Sequence, residues 1–180
     1  MNETYHRRST QYPVGWAFIL VFAAVYVALY LLYSVVPNAV LVDRVYHFGI
    51  VWPAKMLINW LAPDEQATAV HNQLMSSRFG LSIVRGCDGS GVIFLLGAAI
   101  LAFPARLKRK LSGLAGAVAL VYVLNQARIV MLYFAGMYRH GWFTALHVYF
   151  VPTLMILAGT LYFAFWTWRA RHDIARPDQA

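Results

Sequence analysis

The feature that most constrains this chain is a series of long apolar runs separated by short polar segments. The first run, residues 13–36, contains no charged residue, and further runs cover 88–104, 111–136 and 142–168. About 17 to 25 mostly apolar residues are enough to cross the hydrocarbon core of a bilayer as a helix. With 12% charged residues the chain cannot cover a soluble surface, since soluble domains carry about 25%. The pattern predicts an all-α integral membrane protein that forms a single domain over residues 1–180.

The charge of the chain is strongly positive, with a formal net value of +8. The basic residues stand mainly beside the apolar runs, which is the distribution that membrane topology predicts. A nucleic-acid partner is therefore not expected, and the lipid bilayer is the expected environment. The single cysteine, Cys87, cannot form an internal disulfide.

Three basic segments indicate the orientation of the chain. Segment 106–110 is the most basic, residues 1–12 contain two adjacent arginines, and the tail 169–180 contains three more. Because cytoplasmic segments carry an excess of Lys and Arg, we expect all three in the cytoplasm. The polar segment 63–86 is then expected on the outer side, since one span separates it from the basic segment.

Residues 45–62 form an apolar stretch that does not fit this alternation of spans. Pro53 and Lys55 in its middle suit an interfacial or re-entrant helix better than a span. We therefore predict a helix bundle of four spans plus one such helix, with five spans as the alternative. Within the outer segment 63–86, residues 79–84 are interpreted as a short strand of a possible small hairpin.

Two further patterns bear on how the predicted helices pack. Gly113 and Gly116 lie in a group of small residues at the start of run 111–136, and small residues allow helices to approach closely. Trp142 near one end of the last run and Trp166 near the other are typical of interfacial aromatic belts.

Cys87 stands where the polar outer segment meets the run 88–104. Glycines and small polar residues around it allow a sharp turn, and Asp88 or Ser90 can cap the following helix. A thiol at a helix N-terminus lies at the positive end of the helix dipole, which favours the reactive thiolate. The alternative interpretation is a small buried apolar residue, the usual state of a lone cysteine.

Arg128 lies inside the third apolar run, roughly 12 Å below its outer end at the rise of a helix. A charge at that depth costs several kcal/mol unless it is paired or hydrated, so it is a candidate functional residue. Asn125 is three residues earlier and shares the same helix face. The alternative is an arginine that reaches the headgroups or forms a structural ion pair.

His147 lies in the last run, roughly 7 Å below its outer end. Pro152 follows it by five residues and is expected to bend the helix. A lone histidine in a helix is more often a satisfied core residue. His147 is therefore a candidate site residue only in combination with the other two candidates.

Cys87, Arg128 and His147 come from three different predicted helices and share the outer half of the bilayer. A histidine beside a cysteine can take the thiol proton and later protonate a leaving amine. An arginine can stabilise the oxyanion of the tetrahedral intermediate. The sequence has no zinc-ligand spacing, so we expect neither a metal nor another cofactor.

Three short blocks carry a resemblance to a known family, and they cover roughly residues 75–165. The blocks are Gly86-Cys87-Asp88-Gly89, Asn125-Gln126-Ala127-Arg128 and Leu146-His147-Val148-Tyr149. In kind, order and spacing they resemble the exosortase/archaeosortase family of membrane-embedded cysteine transpeptidases, and the short length is most similar to the exosortase H subgroup.

The resemblance implies a function and a set of site residues. Cys87 would be the nucleophile, His147 the general acid/base and Arg128 the oxyanion stabiliser, with Asn125, Asp88 and Gly89 supporting them. The substrates would be exported proteins with a C-terminal sorting signal, consisting of a short motif, a transmembrane helix and a basic tail. The enzyme would sit in the bacterial inner membrane, cut on the outer face through a thioester and transfer the product to a surface acceptor.

Two alternatives remain open from the sequence. One is a membrane cysteine protease that uses water as the acceptor with the same residues. The other is a non-catalytic membrane subunit or transporter, in which Arg128 binds an anion or pairs with a partner helix and Cys87 is dispensable.

Overall fold

The computed structural model describes residues 15–175, and the predictions for 1–12, for the start of 13–36 and for the end of 169–180 lie outside the described residues. The fold is mostly helical, with one small sheet. In chain order the elements are α1 (Trp16–Ser34), α2 (Asn38–Val40), a π-helical segment (Leu41–Val51), α3 (Trp52–Leu61), a short 3-10 turn (Pro63–Glu65), β1 (Thr68–Val70), β2 (Gln73–Met75), β3 (Gly80–Ser82), α4 (Ser90–Ala102), α5 (Leu107–Tyr138), α6 (His140–Ala145), a second π-helical segment (Leu146–Phe150) and α7 (Val151–Ala175).

Within residues 15–175, three helices are long and apolar enough to cross a membrane. They are Trp16–Ser34, Leu107–Tyr138 and Gly141–Arg171, the last of which runs through α6, the second π segment and α7. The predicted span 88–104 corresponds to α4, whose 13 residues rise only about 20 Å against a hydrocarbon core of about 30 Å. The expectation of a helical membrane protein is thus met by three long helices and a shorter apolar one.

The long helices pack around α4. Both α1 and α5 pack on it, and α7 packs against α4 and α5. At Gly113 and Gly116 an added methyl group would collide with Trp166 and with Tyr162, which confirms the predicted role of these small residues. The interpretation of Trp166 as a belt residue is wrong, because it is buried and its indole N–H donates to the carbonyl of Arg109 at 3.3 Å.

Residues 38–61 form one continuous helical stretch rather than the predicted 45–62 alone. Ile50, Ala54 and Ile58 are buried, whereas Trp52 and Trp60 are exposed on the other side, and α3 packs against α5. This two-faced helix is not among the three that are long and apolar enough to span, which agrees with the interfacial or re-entrant interpretation.

Prolines follow both π-helical segments. Pro53 comes two residues after Val51 and Pro152 two residues after Phe150. A proline lacks the N–H that would close an α-helical turn, and a wider turn absorbs the missing hydrogen bond. Pro152 is expected from the sequence to bend the last helix. The irregularity in the structure is a π-helical segment just before the proline, and this segment contains His147.

The segment 63–86 folds into a three-stranded antiparallel sheet in the order β1-β2-β3, one strand more than the predicted hairpin. It is fastened to α5, because the hydroxyl of Tyr133 contacts Ser76 at 2.7 Å and donates to the buried Glu65 at 3.3 Å. Phe79 lies over Gly136 so closely that a methyl group there would collide with its ring. The sheet is thus packed onto the end of α5.

Helices α5 and α7 extend beyond the predicted runs 111–136 and 142–168. Helix α5 begins inside the basic segment, where the ammonium group of Lys110 donates to the carbonyl of Leu101 at 2.6 Å. That contact satisfies an otherwise unpaired carbonyl at the C-terminus of α4. Only Arg139 separates α5 from α6, so the connection between these two helices is one residue long.

Candidate active site

The turn that carries Cys87 is shaped by two glycines with left-handed backbones. Gly86 has φ +88° and Gly89 has φ +80°, conformations that L side chains rarely adopt. The amide N–H of Cys87 donates to the carbonyl of Val84 at 2.9 Å. The chain therefore reverses around Cys87 immediately before α4 begins at Ser90.

Asp88 anchors this turn to the rest of the molecule. Its carboxylate accepts from the backbone N–H of Ser90 at 3.2 Å and from the Ser90 hydroxyl at 2.8 Å, which satisfies a free donor at the start of α4. It also accepts from the hydroxyls of Tyr33 and, at 3.5 Å, of Tyr46. The N-cap position of α4 is occupied by Gly89 and not by Asp88 or Ser90 as predicted, and Asp88 bonds the first residue of the helix from the position before the cap.

The two tyrosines form a rigid pair beneath the turn. Their hydroxyl oxygens are 2.8 Å apart, and Tyr46 is only 2% exposed. Burial raises the pKa of Tyr46 above its ordinary value, and its hydrogen bond with Tyr33 and the charge of Asp88 act in the same direction. The phenol therefore stays protonated and remains a donor to the carboxylate.

Arg85 fastens the same turn to the C-terminus of α1. Its guanidinium donates to the carbonyl of Tyr33 at 2.8 Å, to the carbonyl of Val36, and to the side-chain oxygen of Asn38 at 3.0 Å. It also lies over the Tyr33 ring, 5.0 Å from its centroid. The carbonyls at the end of a helix lack intrahelical partners, so Arg85 both caps α1 and positions the turn.

The thiol of Cys87 faces the imidazole of His147. Sγ lies 3.8 Å from Nε2, within hydrogen-bonding reach for sulfur. The ring of Phe143, one helical turn earlier, stacks on that of His147 with an interplanar angle of 4° and centroids 5.7 Å apart. Nδ1 of His147 is buried and has no hydrogen-bond partner among the described residues, so the stacked Phe143 ring is the contact that orients the imidazole.

Arg128 and Asn125 lie on the buried face of α5 beside the turn. Arg128 is 7% exposed and Asn125 is 3% exposed. The ion pairs among the described side chains, His71–Asp43 and Arg78–Glu65, both lie elsewhere, so Arg128 has no carboxylate partner there. Its charge acts electrostatically on His147.

Gly89 is the point at which the turn touches α5. A methyl group at Gly89 would lie 3.1 Å from Cγ1 of Val121 and 3.5 Å from Cγ of Asn125. The side-chain oxygen of Asn125 is buried and unpartnered within residues 15–175. Because a buried amide without a partner costs about 1–3 kcal/mol, this oxygen is suited to accept an N–H from a bound ligand.

A cavity of about 320 Å³ adjoins the turn. Residues of four helices and of the turn line it, and among these described lining residues Arg128 is the only charged one. The lining includes Tyr26, Gly86, Gly89, Gly91, Leu95, Arg128 and Ile156. The cavity thus connects the surroundings of Cys87 with the side of the bundle.

The structure brings all six sequence-predicted site residues to one region, and it adds three that the sequence did not indicate. Tyr33 stands at the end of an apolar run, Tyr46 stands in an ambiguous one, and Arg85 looks like an ordinary surface charge. Only their long-range contacts with the turn identify them. Among the side chains that the structure describes, no three His, Cys, Asp or Glu residues group as metal ligands.

Comparison of the chain with models of known protein families, with curated proteins and with solved structures found no match in any of the three.

Proposed function

We propose that this chain is a membrane-embedded cysteine transpeptidase of the exosortase type, with Cys87 as the nucleophile. The observation that carries the proposal is the 3.8 Å approach of the Cys87 sulfur to Nε2 of His147. Arg128 is buried nearby and has no carboxylate partner among the described side chains. A nucleophile and a base within hydrogen-bonding reach, next to a cation in a site of low dielectric, suit acyl transfer.

The proposed reaction proceeds in two halves. Sγ of Cys87 attacks the carbonyl carbon of the scissile peptide bond while Nε2 of His147 takes the thiol proton. The C–N bond then breaks, His147 gives the proton to the leaving amine, and the acyl group remains on sulfur as a thioester. A nucleophile on a surface acceptor attacks the thioester, its proton passes to His147, and the sulfur leaves as the thiolate that is then reprotonated.

The neighbouring residues have separate proposed roles. Arg128 stabilises the oxyanion of each tetrahedral intermediate. The attraction between its positive charge and the oxyanion is stronger in a site from which water is excluded. The buried oxygen of Asn125 accepts a backbone N–H of the bound peptide. Gly89 and Asp88 hold the turn so that the sulfur faces the imidazole.

The proposed location is the inner membrane of a bacterium, with the active site at the outer face. Helix α4 would be a fourth, short span whose N-terminus lies at that face together with the three-stranded sheet. The stretch 38–61 would lie in the interface beside it. The basic start of α5 and the basic end of α7 support a cytoplasmic position for the opposite ends of these helices.

The first test follows exported proteins of the host cell that end in one transmembrane helix and a basic tail. Wild type, Cys87→Ala and a matched Ser112→Ala control are expressed to equal levels in a strain without the natural copy. We expect cleavage of such proteins with wild type and the control and none with Cys87→Ala. Equal cleavage by Cys87→Ala would exclude Cys87 as the nucleophile.

Mass spectrometry of the new C-terminus distinguishes transfer from hydrolysis. An added group on the terminal carboxyl is expected for a transpeptidase, whereas a free carboxylate would identify a protease with water as acceptor. If wild type cuts no such protein and Cys87 is dispensable for the phenotype of the strain, the non-catalytic alternative replaces the enzyme.

A further inference from the structure

We infer that the transmembrane helix of the substrate reaches Cys87 sideways, through the cavity beside α4, and lies along its Gly91–Leu95 face. This inference rests on the proposed function and specifies where that site receives its substrate. The occupant is the single apolar helix that precedes the basic tail of such a substrate, and it is distinct from the peptide segment that Cys87 attacks.

The cavity lies beside both the turn that carries Cys87 and the first turns of α4. Gly86 and Gly89, which flank Cys87 on either side, line one part of it, and Gly91 and Leu95 line another. Gly91 and Leu95 are four residues apart and share one face of α4, about 6 Å apart along the axis. The cavity therefore extends from the turn that carries Cys87 along α4, in the direction of the helix axis.

The cavity opens at the side of the helix bundle. Leu95 and Ile156 are 39% and 53% exposed although both are large and apolar. They belong to α4 and α7, and Tyr26 of α1 lines the same space. In a membrane protein an apolar opening of this kind faces lipid, so an apolar helix can enter it without crossing water.

Gly91 supplies the room that such a helix needs. An added methyl group at Gly91 would have no atom within 4 Å, and its backbone is in the ordinary helical region. Small residues on one helix allow the backbone of another to approach closely. A side chain at this position would fill the cavity and leave the packing of α4 on its neighbours unchanged.

Arg128 places a charged side chain at the wall of the cavity. It is 93% buried and has no carboxylate partner among the described residues. Peptide carbonyls at the unwound end of a substrate helix can accept from the guanidinium, which the hydrocarbon chain of a lipid cannot do. This favours a polypeptide over an acyl chain as the occupant.

Because Cys87 is the single native cysteine, Cys87→Ala gives a cysteine-free background for cross-linking. In the Cys87→Ala background one cysteine is introduced at Gly91, and in a matched variant at Val118, an exposed position of α5 outside the cavity lining. The probe is a membrane-anchored protein that wild type cuts, with single cysteines at successive positions of its transmembrane helix. We expect oxidative cross-links from Gly91→Cys to the part of the helix nearest the cleavage site and none from Val118→Cys.

A second measurement fills the cavity. Gly91→Leu is expected to lower cleavage of the anchored probe at least tenfold while a small thiol reagent still labels Cys87 at the wild-type rate. Gly49→Leu is the control. Gly49 lies in the first π segment, outside the cavity, and a methyl group added there also meets open space, so this variant should cleave the anchored probe at the wild-type rate.

Each outcome decides the inference. Equal cross-linking at both positions, or normal cleavage by Gly91→Leu, overturns it and leaves the proposed function standing, with a lipid chain as the occupant of the cavity. A wild-type protein that cuts no anchored protein overturns the proposed function itself, and the inference with it.

Discussion

Cys87 and His147 are 60 residues apart in the chain, yet the sulfur of one lies 3.8 Å from Nε2 of the other. The contact joins the turn before α4 to the second π segment before α7. Among the described residues neither side chain makes another hydrogen bond that would compete with this contact, and stacking on Phe143 fixes the plane of the imidazole.

His147→Ala is expected to reduce cleavage by about 10²–10⁴-fold, the usual contribution of a positioned general base. The same variant should slow alkylation of Cys87 by a small, membrane-impermeant thiol reagent applied to intact cells. His71→Ala, which removes an exposed histidine paired with Asp43, serves as the control. An unchanged alkylation rate in His147→Ala would mean that the imidazole does not activate the thiol.

Arg128→Gln is expected to lower cleavage by about 10²–10³-fold, as the loss of an oxyanion stabiliser does. Alkylation of Cys87 forms no oxyanion, so its rate should stay near that of wild type. Arg128→Lys should restore part of the activity, because it keeps the charge without the planar guanidinium. A parallel loss of both activity and alkylation would instead point to a structural role in holding α5.

Tyr46→Phe is expected to loosen the turn that carries Cys87, because Asp88 and Tyr33 lose a buried donor. Cleavage should fall, and the fall should be the same from about pH 6 to about pH 9, since burial keeps the pKa of Tyr46 above this range. Measuring cleavage across pH in the variant and in Tyr30→Phe, an exposed tyrosine of α1, checks this. A loss that appears only at one end of the range would contradict it.

Gly89→Ala is expected to destabilise the protein more than Gly86→Ala does. Both positions have a left-handed backbone, which costs about 1–2 kcal/mol for an L side chain. Only at Gly89 does the added methyl group also press on Val121, at 3.1 Å. Thermal unfolding in detergent measures the difference, and equal losses at the two glycines would show that the contact with α5 does not matter.

Tyr133→Phe is expected to release the three-stranded sheet from α5. It removes the hydroxyl that donates to the buried Glu65 and contacts Ser76, and a lost hydrogen bond to a charged group costs about 1.5–3 kcal/mol. Hydrogen exchange should rise in residues 63–82 and stay unchanged in α7. Tyr122→Phe, on the exposed face of the same helix, is the control, and equal exchange in both variants would refute the attachment.

The helices were the most predictable part of the fold, because apolar runs and their flanking charges are local properties of the chain. The runs 13–36, 111–136 and 142–168 agree with the three long helices apart from their ends. Those ends differ since caps come from distant residues, as Arg85 does for α1. The hairpin became a three-stranded sheet because its strands are three residues each, too short for a pattern of alternation.

By itself the sequence determined the class of the protein and the residues to consider at its site. A buried arginine in an apolar run and a cysteine between glycines are unusual enough to stand out without any knowledge of contacts. The tertiary structure decided which residues meet. It alone brought His147 to Cys87, placed Tyr33, Tyr46 and Arg85 under the turn, and left open the cavity beside Gly91, because these relationships depend on how separate helices pack and not on any property that one segment carries.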